Sequence, residues 1–211
     1  MLLALALAIA AGPILTDVPS QPDPEARYVF YLHGRILEVQ GRDAVSPDFG
    51  KYEYDAILEA LAAPGFTVVS EIRKDGAGDE FAAKVAGQIR ALKAAGVPSR
   101  HIGVVGASKG AGLTLAVAEA AGDPAIAYVV LAGCGASPER AAALRGRILS
   151  IYDEKDRYRP SCRETFARAK ALTARREIVV RRGLDHGLLY KPYDDWVKPA
   201  LAWIAPGAGT P

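Results

Sequence analysis

Between residues 27 and 181, this chain of 211 residues carries six short, mostly apolar runs, with segments of helical spacing between them. The runs lie at 27–32, 66–72, 101–105, 126–131, 147–152 and 177–181. Each is too short for a buried helix and rich in Val, Ile, Leu or aromatic residues, so each reads as a strand. Helices are predicted at 52–62, 79–95, 109–121, 137–144, 161–173 and 193–204. In the first, Tyr54, Ile57, Leu58 and Leu61 fall on one stripe; in the second, Phe81, Val85, Ile89 and Leu92 do. A strand that is apolar without alternation must be covered on both faces. Alternating with helices, such strands are parallel. The prediction is an α/β fold, a three-layer sandwich of about six mostly parallel strands with helices on both sides. The length allows one domain, placed at 27–205, after a Pro-rich tether over 13–26 and before a flexible tail over 206–211.

Composition narrows the function classes. Lys plus Arg number 26 against 24 Asp plus Glu, a net charge of only +2. That balance argues against a chain built to coat nucleic acid. A charged fraction of 24% with 50% hydrophobic residues excludes disorder and suits a soluble domain. The apolar run at 2–12 is shorter than the roughly 20 residues that a membrane span needs, so no stable membrane insertion is expected. It has the length of a signal-peptide core, and Ala8-Ile9-Ala10 offers a small-x-small cleavage pattern, although no Lys or Arg precedes it. We expect a leader over 1–12 and a periplasmic or secreted protein. The other reading is a packed first segment in a cytoplasmic one. His33, His101, His186, Cys134 and Cys162 show no metal-ligand spacing, so no metal is expected.

In an open parallel sheet, ligand-handling groups stand just past the carboxyl ends of the strands. Here those positions hold His33-Gly34, Ser108, Cys134, Asp153 with Asp156, and His186. One of them carries a motif. The run at 101–105 leads into Gly106-Ala107-Ser108-Lys109-Gly110, and a helix follows at once. This is G-x-S-x-G in a strand–turn–helix context. The turn is sharp and strained, the glycines avoid clashes at its flanks, and the serine hydroxyl is presented at the top of the sheet. An acid and a histidine follow in the order Ser, Asp, His. The bland alternatives are Ser108 as a helix cap, His186 as a loop histidine, His33 as a residue that shapes its loop and His101 as structural.

With these residues, the sequence resembles the α/β-hydrolase family from residue 27 to about 204. The resemblance implies a compact serine hydrolase acting on an ester, thioester or related acyl bond, without a cofactor. Ser108 would be the nucleophile and His186 the base. The family's acid often stands four residues beyond a strand, in a pattern like I-x-G-x-x-D. Ile151-Tyr152-Asp153-Glu154-Lys155-Asp156 places Asp156 there, with Asp153 as the alternative acid. The resemblance also implies an oxyanion hole formed by the backbone of Gly34 and Arg35 and by the Lys109 N–H. The chain departs from the family pattern in that the first two antiparallel strands are absent or reduced, in lacking an inserted cap, and in reading His-Gly-Arg at the oxyanion segment. A minimal member with an open site is the expectation.

Two other functions compete. Residues 105–112, V-G-A-S-K-G-A-G, are similar to the glycine-rich turn of short-chain dehydrogenases. However, that turn follows the first strand of its family, and no Tyr here has Lys four positions later. A non-catalytic binding module on the hydrolase fold is the other. The substrate is expected to be a small acyl compound. Arg35, Lys109, Arg157 and Arg159 all follow strand ends and would make the mouth basic, which suggests an anionic one. The sequence does not speak to oligomeric state. Cys134 and Cys162 fall at the same end of neighbouring strands, which makes them a candidate disulfide pair; two buried free thiols are the other reading.

Overall fold

The computed structural model describes residues 10–158 and 161–205. Most of the expected leader, residues 1–9, and the expected tail, 206–211, lie outside the described residues. In chain order the elements are β1 (Ile14–Leu15), β2 (Tyr28–Leu32), α1 (Arg35–Gln40), β3 (Val45–Ser46), β4 (Gly50–Lys51), α2 (Tyr54–Ala62), β5 (Thr67–Val69), α3 (Asp79–Ala94), β6 (Ile102–Ala107), α4 (Lys109–Ala121), β7 (Ala127–Leu131), α5 (Pro138–Ala143), β8 (Gly146–Asp153), α6 (Arg163–Arg168), β9 (Leu172–Val180) and α7 (Asp194–Ile204).

The main sheet has seven strands in the order β1-β5-β2-β6-β7-β8-β9, and every neighbouring pair is parallel. β3 and β4 form a small separate hairpin. Alternate strand residues serve the two faces. Val29, Tyr31, Val105 and Val129 pack with Ile57, Leu61, Trp196 and Ala200 of α2 and α7. Phe30, Val104, Tyr128 and Ile148 pack with Val85, Ile89, Leu115 and Phe166 of α3, α4 and α6. This two-sided burial is the physical reason that the inner strands lack alternation: all five residues of β2 are buried. No further domain is inserted between α4 and β8.

The edges depart from expectation. The segment read as a tether contributes β1: Val68 N–H donates to Pro13 O at 2.9 Å, and Ser70 N–H to Leu15 O at 2.9 Å. Gly12, the last residue of the expected leader, lies so close to Phe66 that a Cβ there would stand 2.1 Å from its carbonyl oxygen. Two residues carry no periodicity, so sequence could not reveal this strand. At the other edge α6 stops at Arg168, and β9 starts at Leu172 rather than at 177. Pairing with β8 draws Leu172 opposite Gly146. An edge strand is only partly covered, so Arg175 and Arg176 are tolerated in it and the apolar signal is lost.

The amino-terminal end of the sheet is tied by Asp123, which follows the left-handed Gly122 cap of α4 (φ 58°). Its carboxylate accepts from Ser99 Oγ at 2.7 Å, from the Ala125 N–H at 2.9 Å and from Lys93 Nζ. One side chain thereby joins the end of α3 to the turns entering β6 and β7.

Candidate active site

β6 ends at Ala107, and α4 begins at Lys109, which leaves one residue for the turn. That residue, Ser108, has φ 54° and ψ −115°. A residue with a Cβ pays on the order of 1–3 kcal/mol for such a backbone. Tight packing enforces it. A Cβ on Gly106 would stand 2.1 Å from Gly110 O, and one on Gly110 would stand 1.9 Å from Leu32 O. The glycines of the motif therefore serve close packing of backbone on backbone, not an approach to a dinucleotide. β2 and β6 are adjacent, and their onward connections run to opposite sides of the sheet, to β5 and to β7. Ser108 stands at that switch point, where open α/β sheets bind ligands.

The structure brings His186 and Asp156 to this serine from two further loops. His186 lies in the 3-10 turn Asp185–Leu189, after β9. Asp156 lies in the turn after β8. His186 Nε2 is 2.9 Å from Ser108 Oγ, and His186 Nδ1 is 2.8 Å from Asp156 Oδ2. A carboxylate only accepts, so Nδ1 carries the proton and Nε2 is left to accept from the serine hydroxyl. Asp156 Oδ1 accepts from the Tyr158 N–H at 2.9 Å, which holds the carboxylate plane. Both Asp156 and His186 are buried. Asp153 does not reach the histidine. Its Oδ1 accepts from the Lys155 N–H at 2.9 Å, and its Oδ2 accepts from the Arg182 and Leu184 N–H groups at 3.3 and 3.1 Å. It ties the two loops that carry Asp156 and His186.

The remaining predicted residues fall around this centre. A Cβ built on Gly34 would lie 3.7 Å from Ser108 Cβ, so the Gly34–Arg35 backbone faces the serine. The N–H groups of Arg35 and Lys109 both stand in the first turn of a helix, where no intrahelical acceptor exists. His33 is fully buried. Its Nδ1–H donates to Gly34 O at 2.8 Å, and its Nε2 accepts from the Arg73 N–H at 3.0 Å. Burial, and then the nearby Arg73 charge, push its pKa down to about 3, so the ring is neutral and shapes the loop. His101 sits at the opposite end of β6, away from the site. Cys134 and Cys162 are joined in a disulfide with Cα atoms 5.0 Å apart.

Three of the four cations expected at the mouth stand beside carboxylates. Lys109 Nζ pairs with Glu38. Arg157 pairs with Asp185 at 2.7 Å and Asp48 at 3.0 Å. Arg35 lies 3.7 Å from Asp75. Arg159 lies outside the described residues. These carboxylates come from other elements, so each of the three described cations has an acidic neighbour. Sequence reasoning also missed the walls of the cleft. Tyr158 meets the His186 ring edge-on at 4.7 Å between centroids, and the Phe49 and Tyr190 rings pack at 5.3 Å, tilted by 54°. The cleft holds about 380 Å³ and is lined by Gly34, Phe49, Tyr52, Ser108, Tyr158, His186 and Tyr190, among others. A larger depression of about 770 Å³ adjoins it, with Ala132, Gly133 and Tyr158 common to both. Among the described residues, no group of three or more His, Cys, Asp or Glu is placed to hold a metal ion. No described helix is long and apolar enough to cross a membrane.

No family model and no curated protein matches the sequence. Solved structures match the fold. A protein from Klebsiella pneumoniae assigned as a dienelactone hydrolase superposes with a TM-score of 0.61 at 17% identity, covering 90% of both chains. An esterase from the fungus Rhizomucor miehei gives 0.61 at 15% identity, covering 88% of this chain and 76% of the other. A hyperthermophilic esterase from the archaeon Pyrobaculum calidifontis gives 0.59 at 20% identity, covering 86% and 77%. The chain has the α/β-hydrolase fold, as the sequence resemblance implied. At these identities the likeness carries the fold and not the activity.

Proposed function

We propose that this chain is a serine hydrolase that cleaves an ester, thioester or related acyl bond of a small molecule. The observation that carries the reading is the relay Ser108 Oγ–His186 Nε2 (2.9 Å) and His186 Nδ1–Asp156 Oδ2 (2.8 Å), built on a serine at positive φ. Ser108 Oγ attacks the acyl carbon as its proton passes to His186 Nε2. The imidazolium then protonates the leaving group, which departs from an acyl-serine. Water, deprotonated by the same nitrogen, releases the acid and restores the serine. Asp156 holds the imidazole in the productive tautomer and stabilises its cation. The Lys109 N–H, next in the chain to Ser108, and the Gly34–Arg35 backbone, which adjoins the serine at Gly34, are the groups we assign to the oxyanion. Each such donor is worth roughly 2.7–4 kcal/mol of barrier. The chemistry needs no cofactor. Because Arg35, Lys109 and Arg157 each have a carboxylate beside them, they offer no argument for an anionic substrate over a neutral one.

Fluorophosphonate labelling followed by peptide mapping tests the proposal. Modification at Ser108, lost in Ser108→Ala together with turnover of p-nitrophenyl butyrate, is the expected result. Intact wild-type protein that neither labels nor turns over would instead favour a binding module on this fold.

A further inference from the structure

Glu38 was not singled out by any motif, yet its side chain is fully buried between two cations. Its Oε1 accepts from Arg73 Nε at 3.0 Å, and its Oε2 accepts from Lys109 Nζ. The Arg73 side chain is also fully buried, whereas that of Lys109 is 27% exposed. Glu38 lies on α1, the helix that opens with Arg35, and Lys109 opens α4. The carboxylate therefore ties together the two helices that open beside Ser108, α1 through Gly34 and α4 directly after the serine. Arg73 extends the tie. One of its guanidinium nitrogens donates to His33 O, and its backbone N–H donates to His33 Nε2. His33 Nδ1–H in turn holds Gly34 O. Gly34 C=O and Arg35 N–H belong to one planar peptide, so holding the carbonyl fixes the direction of the N–H.

Stability alone does not account for this cluster. Buried ion pairs cost desolvation, and apolar residues of similar volume often replace them without loss. This cluster also leaves Arg73 Nη1 buried without a partner. We propose that Glu38 is a positioning residue: with Lys109 and Arg73 it sets the separation and direction of the two backbone donors that receive the oxyanion. The inference rests on the hydrolase reading and deepens it.

Two charge-sensitive alternatives predict different signs. A cluster acting through its field would favour the oxyanion more once the negative charge was removed. A cluster acting through geometry would favour it less. The test uses p-nitrophenyl butyrate turnover per fluorophosphonate-titrated site, so that misfolded protein is not counted. Glu38→Asp keeps the charge and shortens the reach by one methylene. Lys109→Met keeps the backbone N–H and leaves Glu38 paired with Arg73, so it is the variant least prone to misfold. Both should lower kcat about 10- to 100-fold with little change in KM. Affinity for a trifluoromethyl ketone, whose adduct carries an oxyanion, should fall by a similar factor. Glu38→Gln should also lose kcat. Wild-type kcat per site in Glu38→Asp and Lys109→Met, or a raised kcat in Glu38→Gln, would overturn the inference and leave the hydrolase reading standing. A wild-type protein that neither labels nor turns over would overturn both.

Discussion

Replacing Ser108 with glycine should leave the protein more stable than replacing it with alanine, while either change abolishes the proposed chemistry. Ser108→Ala is the control, because it removes the same hydroxyl and the same hydrogen bond to His186 but keeps the Cβ. The difference between the two variants isolates the backbone at φ 54°, ψ −115°. A Cβ-bearing residue held there pays on the order of 1–3 kcal/mol. Glycine adopts the conformation freely, but it raises the entropy of the unfolded chain, which costs about 0.4–1 kcal/mol. Glycine should therefore exceed alanine by about 0.5–2 kcal/mol. In a chain of this size, each kcal/mol corresponds to about 2–4 °C in Tm. Urea unfolding of both variants, with equal m-values, reads the difference directly. Fluorophosphonate should label neither. Alanine as stable as glycine, or more so, would refute the claim that the turn is strained.

Two further outcomes follow from the loops beside it. Asp156→Asn should lower kcat by about 10⁴, because the imidazole loses the tautomer that accepts from Ser108, while Asp153→Asn should cost about 1–3 kcal/mol of stability and leave kcat nearly unchanged. Steady-state kinetics paired with denaturation midpoints separates the two carboxylates, and a reversed pattern would reassign the acid. His33, at a pKa of about 3 when folded against roughly 6.5 when unfolded, binds its proton first in the unfolded chain. Its contribution is present above about pH 6.5 and is lost as the pH falls toward 3, at about 1.4 kcal/mol per unit. Between about pH 7.5 and 4.5, wild type should therefore lose about 2–3 kcal/mol more stability than His33→Asn; equal losses would mean that His33 is not held neutral.

What could be read from the sequence follows burial and chain order. β2, β6, β7 and β8 are covered on both faces and announce themselves as apolar runs. β1 and the first half of β9 lie at the sheet edges, where no such pattern is required. Ser108 was legible because its turn needs glycine on both sides, and His186 because it follows the last strand. The choice between Asp153 and Asp156 needed the structure, since β8 runs to Asp153 and both carboxylates face inward. Glu38, Arg73, Asp48 and Asp185 carried no signal. Their partners stand far away in sequence, as with Lys109 and Glu38, separated by 71 positions, or Arg157 and Asp48, separated by 109. The same blindness shaped the expectation of a basic mouth: sequence displays the cations after the strands but not the carboxylates that other elements fold against them.

The tie made by Asp123 has a consequence for how this protein can change. It stands at the amino-terminal end of β6, and Ser108 stands at the other, six strand residues away, or about 20 Å at the rise of a strand. Effects of substitutions that far apart, with no shared partner, add nearly independently. One rim of the sheet can therefore gain or lose stability without the opposite rim registering it. Stability can therefore be added through the Ser99, Lys93 and Ala125 contacts of Asp123 while the turn at Ser108 and the cleft are left as they are.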